Sequence, residues 1–282
     1  MIKANGKYLI TGGSGFLGKE MIARLHSLGV TDISVVSRSQ SNLILLKQKF
    51  PFIEIIPGDI SDPVTVAKAC QGVTGIFHFA AFKYVSMSET HSWECIRSNV
   101  LGTMNMLARS IEQCPDFFVF VSSDKAMNAK GVYGSSKLLG EKLTQEASRI
   151  NHKTHYSIVR YGNVWASTGS FVTIWEPIIK SGQQVILNEP NATRFFFKVG
   201  EAVETILNSF YGKSGDVTVP KMKGISMGLL LECCQEVWGQ CPVKIIGLQP
   251  GENMHETIDG IHFSNEMEKY LKEEFIKEFL SE

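Results

Sequence analysis

The chain has 282 residues, 44% of them hydrophobic and 20% charged, which is the balance of an ordinary globular protein with room for one full domain and a smaller lobe. Its 28 Lys and Arg offset 28 Asp and Glu, so there is no basic excess to hold nucleic acid or an acidic membrane, and neither partner is expected. No apolar run reaches bilayer-spanning length and the N-terminus lacks a charged-then-apolar signal pattern, so a soluble cytoplasmic protein is expected.

Along the first part of the chain, residues 7–11, 32–37, 52–57, 75–80, 117–122 and 155–160 read as strands. Most are continuous apolar runs, as strands buried on both faces should be. Amphipathic helical patterns lie between them, among them 19–27 and the long 93–113. Strand and helix alternating six times predict an α/β fold, a doubly wound parallel Rossmann sheet. Residues 1–165 are assigned to this Rossmann domain. After Arg160 the rhythm breaks, and 166–282 is assigned to a small C-terminal substrate-binding lobe, with a strand and a helix returning to the sheet. Residues 265–280 carry an apolar stripe at helical spacing, with Asn265 and Glu268 as a capping box, and are expected to form a terminal helix. The six cysteines show no CxxC pair and no His-rich neighbour. They read as buried thiols in a reducing compartment, with no metal site.

The first strand runs into Gly12-Gly13-Ser14-Gly15-Phe16-Leu17-Gly18 and then a helix. The spacing of Gly12, Gly15 and Gly18 lets backbone N–H groups and the helix N-terminus approach a pyrophosphate. At the end of the second strand, where NAD enzymes place an acidic residue, stand Ser37 and Arg38. A hydroxyl and a guanidinium attract a 2′-phosphate that a carboxylate would repel, so the expected cofactor is NADP. Asp59 and Ile60 follow the third strand, where the adenine edge should lie. Ala80 and Ala81 follow the fourth, leaving room for the middle of the cofactor, and Tyr161, after the sixth, is assigned to the same site.

The fifth strand ends in Ser122-Ser123-Asp124-Lys125, and Tyr133 with Lys137 four residues later follows on a helix. Side chains four apart project from one helical face. An ammonium beside the phenol should lower its pKa so that Tyr133 can take a proton from a substrate hydroxyl while hydride leaves the carbon. Asn99, on the preceding helix, is the expected support and is counted with the cofactor site. Asp124 and Lys125 supply one acid and one base for a second proton transfer.

These motifs resemble the inverting, 5-epimerising UDP-N-acetylglucosamine 4,6-dehydratases, in the polysaccharide-biosynthesis branch of the extended short-chain dehydrogenases/reductases. The resemblance is carried by TGGSGFLG, SRS, GDISD, FHFAAFKYV, SNVLGT, SSDKAMN, YGSSK, VRYGNVWASTGS, the stretch around Thr193-Arg194-Phe195, and GLQPGENMHE. It implies that Tyr133 and Lys137, beside Ser123, oxidise C4, that Lys125 with a depressed pKa removes the C5 proton, and that Asp124 protonates the leaving 6-hydroxyl. It further implies that Lys83, Asn163 with Val164, Arg194 and Glu252 line a UDP-sugar site, and that the end product belongs to pseudaminic-acid-type sugars. A homo-oligomer, dimeric or larger, is expected, with helices containing Asn99 and Tyr133 pairing across subunits. The sequence departs from the family at Ser123, where Thr is common, at Gln249, where Arg is usual, and after the HE dipeptide, where relatives continue into further sheet. Two other readings stay open: an NADPH-dependent reductase/5-epimerase acting on the keto product of such a dehydratase, and a non-catalytic NADP-binding sensor or scaffold.

Overall fold

The computed structural model describes residues 2–280. All six expected strands form, each shorter than its apolar run by one or two residues: β1 (Tyr8–Thr11), β2 (Ile33–Ser37), β3 (Glu54–Pro57), β4 (Gly75–His78), β5 (Phe117–Val121) and β6 (His155–Val159). Then come β7 (Asn163–Val164), β8 (Val185–Leu187), β9 (Thr193–Phe197), β10 (Val217–Thr218), β11 (Lys223–Ser226) and β12 (Val243–Ile245). β10 returns to the large sheet, whose seven strands run parallel in the order β10-β6-β5-β4-β1-β2-β3. This is the expected α/β Rossmann sheet. Strand order reverses between β1 and β4, and the crevice at the carboxyl ends of those two strands is where such sheets bind ligands.

The continuous apolar runs have a physical use. Phe117 and Val119 pack on one face of the sheet with Tyr8, Ile10, Val35 and Phe77. Phe118 and Phe120 pack on the other with Leu9, Val36 and Ile76. All eleven are essentially buried, so both faces are covered by helices, as parallel sheets require. Truncating any of these phenylalanines to Ala would cost about 3–5 kcal/mol.

The later part of the chain builds a three-stranded sheet, β11-β9-β7, and a parallel pair, β12-β8. Trp175, Leu187, Phe196, Leu230, Phe275 and Phe279 form its separate core. The terminal helix is shorter than its apolar stripe. Only Lys272–Phe275 is α-helical, followed by a wider turn over Ile276–Leu280. Residues 265–271 instead lie along β11: Gly224 N donates to Glu268 O at 2.8 Å and Tyr270 N donates to Gly224 O at 3.0 Å. Backbone pairing with an open sheet edge outweighs helical periodicity here, and the cap at the helix start is Glu274, which accepts from Leu271 N at 3.4 Å. Among the described residues no helix is long and apolar enough to cross a membrane.

Candidate active site

A cleft of about 610 Å³ opens at the carboxyl ends of β1 and β4. Gly12, Ser14, Gly15, Phe16, Leu17, Gly18, Ser37, Arg38, Asp59, Ile60, Ala80, Ala81 and Tyr161 line it, as do Ser123, Asp124, Lys125, Tyr133, Lys137, Lys83, Asn163 and Val164. The motifs read separately in the sequence therefore share one cavity. Asn99, Arg194 and Glu252 do not line it.

The cofactor end is shaped by backbone. Gly12 has φ +69°, and a Cβ there would lie 2.8 Å from the Ala80 backbone. A side chain would fill the cradle and strain the turn. The turn leads into the helix Phe16–Ser27, whose free N–H groups and dipole suit a pyrophosphate. Ser14 Oγ donates to Ser37 Oγ at 2.8 Å, tying the turn to the end of β2. Arg38 and Arg97 approach Asp59 Oδ2 at 4.0 and 3.0 Å. Burial would raise the Asp59 carboxyl, but its bonds to Ser61 and the two guanidinium groups outweigh that and hold it below its ordinary value. Arg97 was not singled out in the sequence, because only the folded chain carries it back to Asp59. These residues fit a dinucleotide.

Asn99 acts from behind the cleft. It sits in a wide π turn, Arg97–Leu101, between the helices Ser92–Ile96 and Gly102–Gln113, and such insertions re-aim side chains at functional sites. Its Oδ1 accepts from Phe82 N at 2.7 Å, and its Nδ2 donates to Phe82 O at 2.9 Å and Ser136 Oγ at 2.9 Å. Asn99 thus clamps the Phe82 loop to the helix of Tyr133 and Lys137, rather than lining the cleft.

Tyr133 lies in the first turn of the helix Val132–Ile150. Lys137 Nζ donates to Val121 O at 2.6 Å and lies 4.7 Å from the centre of the Phe120 ring. Burial pushes this lysine down to about 8, against an opposing pull from Glu141. The expectation that Lys137 lowers the Tyr133 phenol is not met by the protein's own groups. Burial raises Tyr133 above its ordinary value, and the opposing groups are Lys125 and the Ser123 hydroxyl.

Asp124 and Lys125 occupy a short turn, Asp124–Ala126, started by Ser123, whose Oγ accepts from Lys125 N at 3.3 Å and donates to Asp124 Oδ1 at 2.9 Å. They are not a solvated surface pair: the Asp124 side chain is 1% exposed and that of Lys125 16%. Burial lifts the Asp124 carboxyl above the usual carboxylate range, which suits an acid. Lys125 departs from expectation. Burial opposes its charge, but the carboxylates of Asp124 and Glu256 outweigh burial and hold the ammonium above its ordinary value.

Two of the remaining sequence candidates, Arg194 and Glu252, are placed apart from the cleft lining. Arg194 is buried, donating from Nη1 to Thr193 O at 2.9 Å and placing Nε 3.8 Å from Glu256 Oε1. Glu252 accepts from Asn188 Nδ2 at 2.9 and 3.0 Å and from Gln249 N at 2.9 Å, holding its own loop. Across the cleft mouth, Lys83 Nζ donates to the Thr168 carbonyl. Glu256 was missed as a site residue, although it ends the HE dipeptide.

A glycine-cradled helix start joined in one cleft to Ser123, Tyr133 and Lys137 defines a Rossmann protein of the short-chain dehydrogenase/reductase type. The chain belongs to the polysaccharide biosynthesis protein family, whose model matches residues 8–276. It is 34% identical over 263 residues to an uncharacterized membrane protein of Methanocaldococcus jannaschii, covering 89% of this chain and 79% of that one. It is 31% identical over 260 residues to a UDP-glucose 4-epimerase of Rickettsia canadensis, covering 89% and 76%. The X-ray structure of Pen from Bacillus thuringiensis superposes with a TM-score of 0.95 at 28% identity, covering 99% and 98%.

Proposed function

We propose that this protein is an NADP-dependent UDP-N-acetylhexosamine 4,6-dehydratase/5-epimerase that makes precursors of surface-polysaccharide or pseudaminic-acid-type sugars. The observation carrying this reading is that buried Asp124 and half-buried Lys125 share one cleft with Tyr133, since a simple dehydrogenase has no use for that second acid–base pair. Residues 1–165 are read as the cofactor-binding part and 166–282 as the substrate-binding lobe.

A bound nicotinamide would supply a hydride acceptor for C4 and a hydride donor for C6, with C5 taking up a proton as hydride arrives. Tyr133, steered by Ser123, takes the proton of the 4-hydroxyl, and Lys137 braces the floor of the site through the Val121 carbonyl. The resulting 4-ketone acidifies the C5 proton, which Lys125 removes as its neutral amine. Asp124, whose carboxyl burial shifts upward, gives a proton to the departing 6-hydroxyl, and water is lost. Lys83, Asn163 and Val164 face the sugar nucleotide. Arg38 with Ser37 selects NADP.

A second reading, a UDP-hexose 4-epimerase, is favoured by the likeness to the Rickettsia protein. It needs Tyr133 but neither Asp124 nor Lys125. Incubation with UDP-N-acetylglucosamine without added cofactor separates the two by product mass: loss of one water supports the dehydratase, and inversion at unchanged mass supports the epimerase.

We also infer a homo-oligomer of at least two subunits. Trp93, Ile96, Leu101, Met104 and Leu139 are 43–80% exposed on the helices that bracket Asn99 and Tyr133, an apolar surface that a second copy would cover.

A further inference from the structure

Three ionisable side chains beside Tyr133 form one buried cluster. Lys125 Nζ lies 3.2 Å from Asp124 Oδ1 and 3.4 Å from Glu256 Oε1. The same Glu256 oxygen lies 3.8 Å from Arg194 Nε. Glu256 Oε2 accepts from Asn253 Nδ2 at 3.1 Å, and Glu256 N donates to Ser264 Oγ at 3.0 Å. The Asp124 and Glu256 side chains are 1% exposed, so water screens these charges little. Tyr133 from its helix and Arg194 from β9 are the other charged or titratable groups acting on Lys125. His255, next to Glu256, places Nδ1 2.9 Å from Thr193 Oγ1.

Two proton arrangements of Asp124 and Lys125 contain the same number of protons and the same net charge. In one, a carboxylate faces an ammonium. In the other, a carboxylic acid faces an amine, reached when one N–H bond of Nζ breaks and an O–H bond forms on Oδ1 across their contact. Only the second offers both a base for a carbon acid and an acid for a leaving hydroxyl. A carboxylate beside Nζ favours the first, and a guanidinium that neutralises this carboxylate favours the second.

We propose that Glu256, shared between Lys125 and Arg194, decides whether the proton sits on Lys125 or on Asp124, and so acts as a positioning residue for the acid–base pair. This inference rests on the reading of Lys125 as the base of the elimination. It gives Arg194 a role as the counter-ion of Glu256. On Lys125, burial and Arg194 work against the ammonium while the carboxylates of Asp124 and Glu256 support it. Glu256 also works against a carboxylate on Asp124, but its 3.4 Å contact is with Lys125 Nζ, so its hold on the ammonium is the effect this role requires.

Cyanate carbamoylates only the neutral amine, so its rate at Lys125, read by peptide mass near pH ~9, reports the proton's position. In Glu256→Gln, which keeps an acceptor for Asn253, the rate should rise about 10- to 1000-fold, the effect of removing one charge at this distance. In Arg194→Met it should fall. The pH profile of water elimination by Glu256→Gln should move to lower pH, a change that mere structural damage would not produce. Unchanged labelling in either folded variant, or a change of opposite sign, would overturn the proposal. Labelling that shifts as stated in a protein that never eliminates water would leave the proton placement standing and refute the dehydratase reading instead.

Discussion

The helix of Tyr133 meets the turn of Lys125 at Gly134, where a Cβ would run into the Lys125 carbonyl oxygen and stand 3.2 Å from Ala129 Cα. The closeness of these two backbones sets the spacing between the phenol and the acid–base pair. Gly134→Ala should therefore push the Asp124–Ala126 turn outward. We expect about 1–3 kcal/mol of destabilisation in thermal unfolding, the scale of overpacking, and a larger proportional loss of elimination than of cofactor binding.

His78 Nδ1 lies 2.8 Å from Thr11 Oγ1 and its Nε2 lies 3.0 Å from Thr103 Oγ1, beneath the glycine turn. Burial pushes this imidazole down to about 3, with Lys137 adding to the shift. The unfolded chain binds the proton more readily between that value and the ordinary 6.5. Stability from a neutral His78 is thus complete above 6.5 and is lost as pH falls toward 3. At pH ~5 the loss should be about 2 kcal/mol, and His78→Gln should remove most of this acid sensitivity in denaturant unfolding.

On the proposed NADP reading, Arg38, whose side chain is 53% exposed at the cleft rim, 4.0 Å from Asp59, meets the 2′-phosphate. Arg38→Ala should weaken NADP binding by about 1.5–3 kcal/mol, the scale of one charge-assisted contact, and leave NAD binding nearly unchanged. Calorimetric titration with both cofactors checks this, and equal affinity of the unmodified protein for the two would contradict it.

Asn99 supports the site through Phe82 and Ser136. Asn99→Ala leaves the Phe82 N–H without its side-chain acceptor, at a cost of about 1–3 kcal/mol. The rate of the first hydride transfer should fall more than substrate affinity does, which single-turnover absorbance of reduced nicotinamide would show.

The parts of the molecule legible in the sequence are those whose determinants are local. The Phe117–Val121 run announces a strand buried on both faces, and Gly12, Gly15 and Gly18 sit in the helix start that their spacing implies. The illegible parts depend on contacts between distant segments. Glu256 reaches Lys125, and Arg194 reaches Glu256, only because the small lobe folds back over the large sheet. Arg194 is singled out through the family resemblance as a sugar-site residue, but no local pattern marks Glu256 or the contact between the two. The stripe around Met267, Tyr270 and Phe275 has helical spacing, but its first half pairs with Gly224, a partner the sequence does not reveal. Asn99 lies inside a regular helical pattern, and the π turn that aims it leaves no trace in periodicity.

The central claim is that one cleft separates redox chemistry at Tyr133 from proton transfer at Lys125. The most direct test follows UDP-N-acetylglucosamine in deuterium oxide with Lys125→Ala and Tyr133→Phe. Lys125→Ala should keep its fold and NADP affinity, while water loss and deuterium entry at C5 fall by about 10²–10⁴-fold, the usual contribution of a positioned acid–base group. Tyr133→Phe should yield no reduced nicotinamide at all. Full elimination and C5 exchange by Lys125→Ala would make Lys125 a bystander and contradict the account.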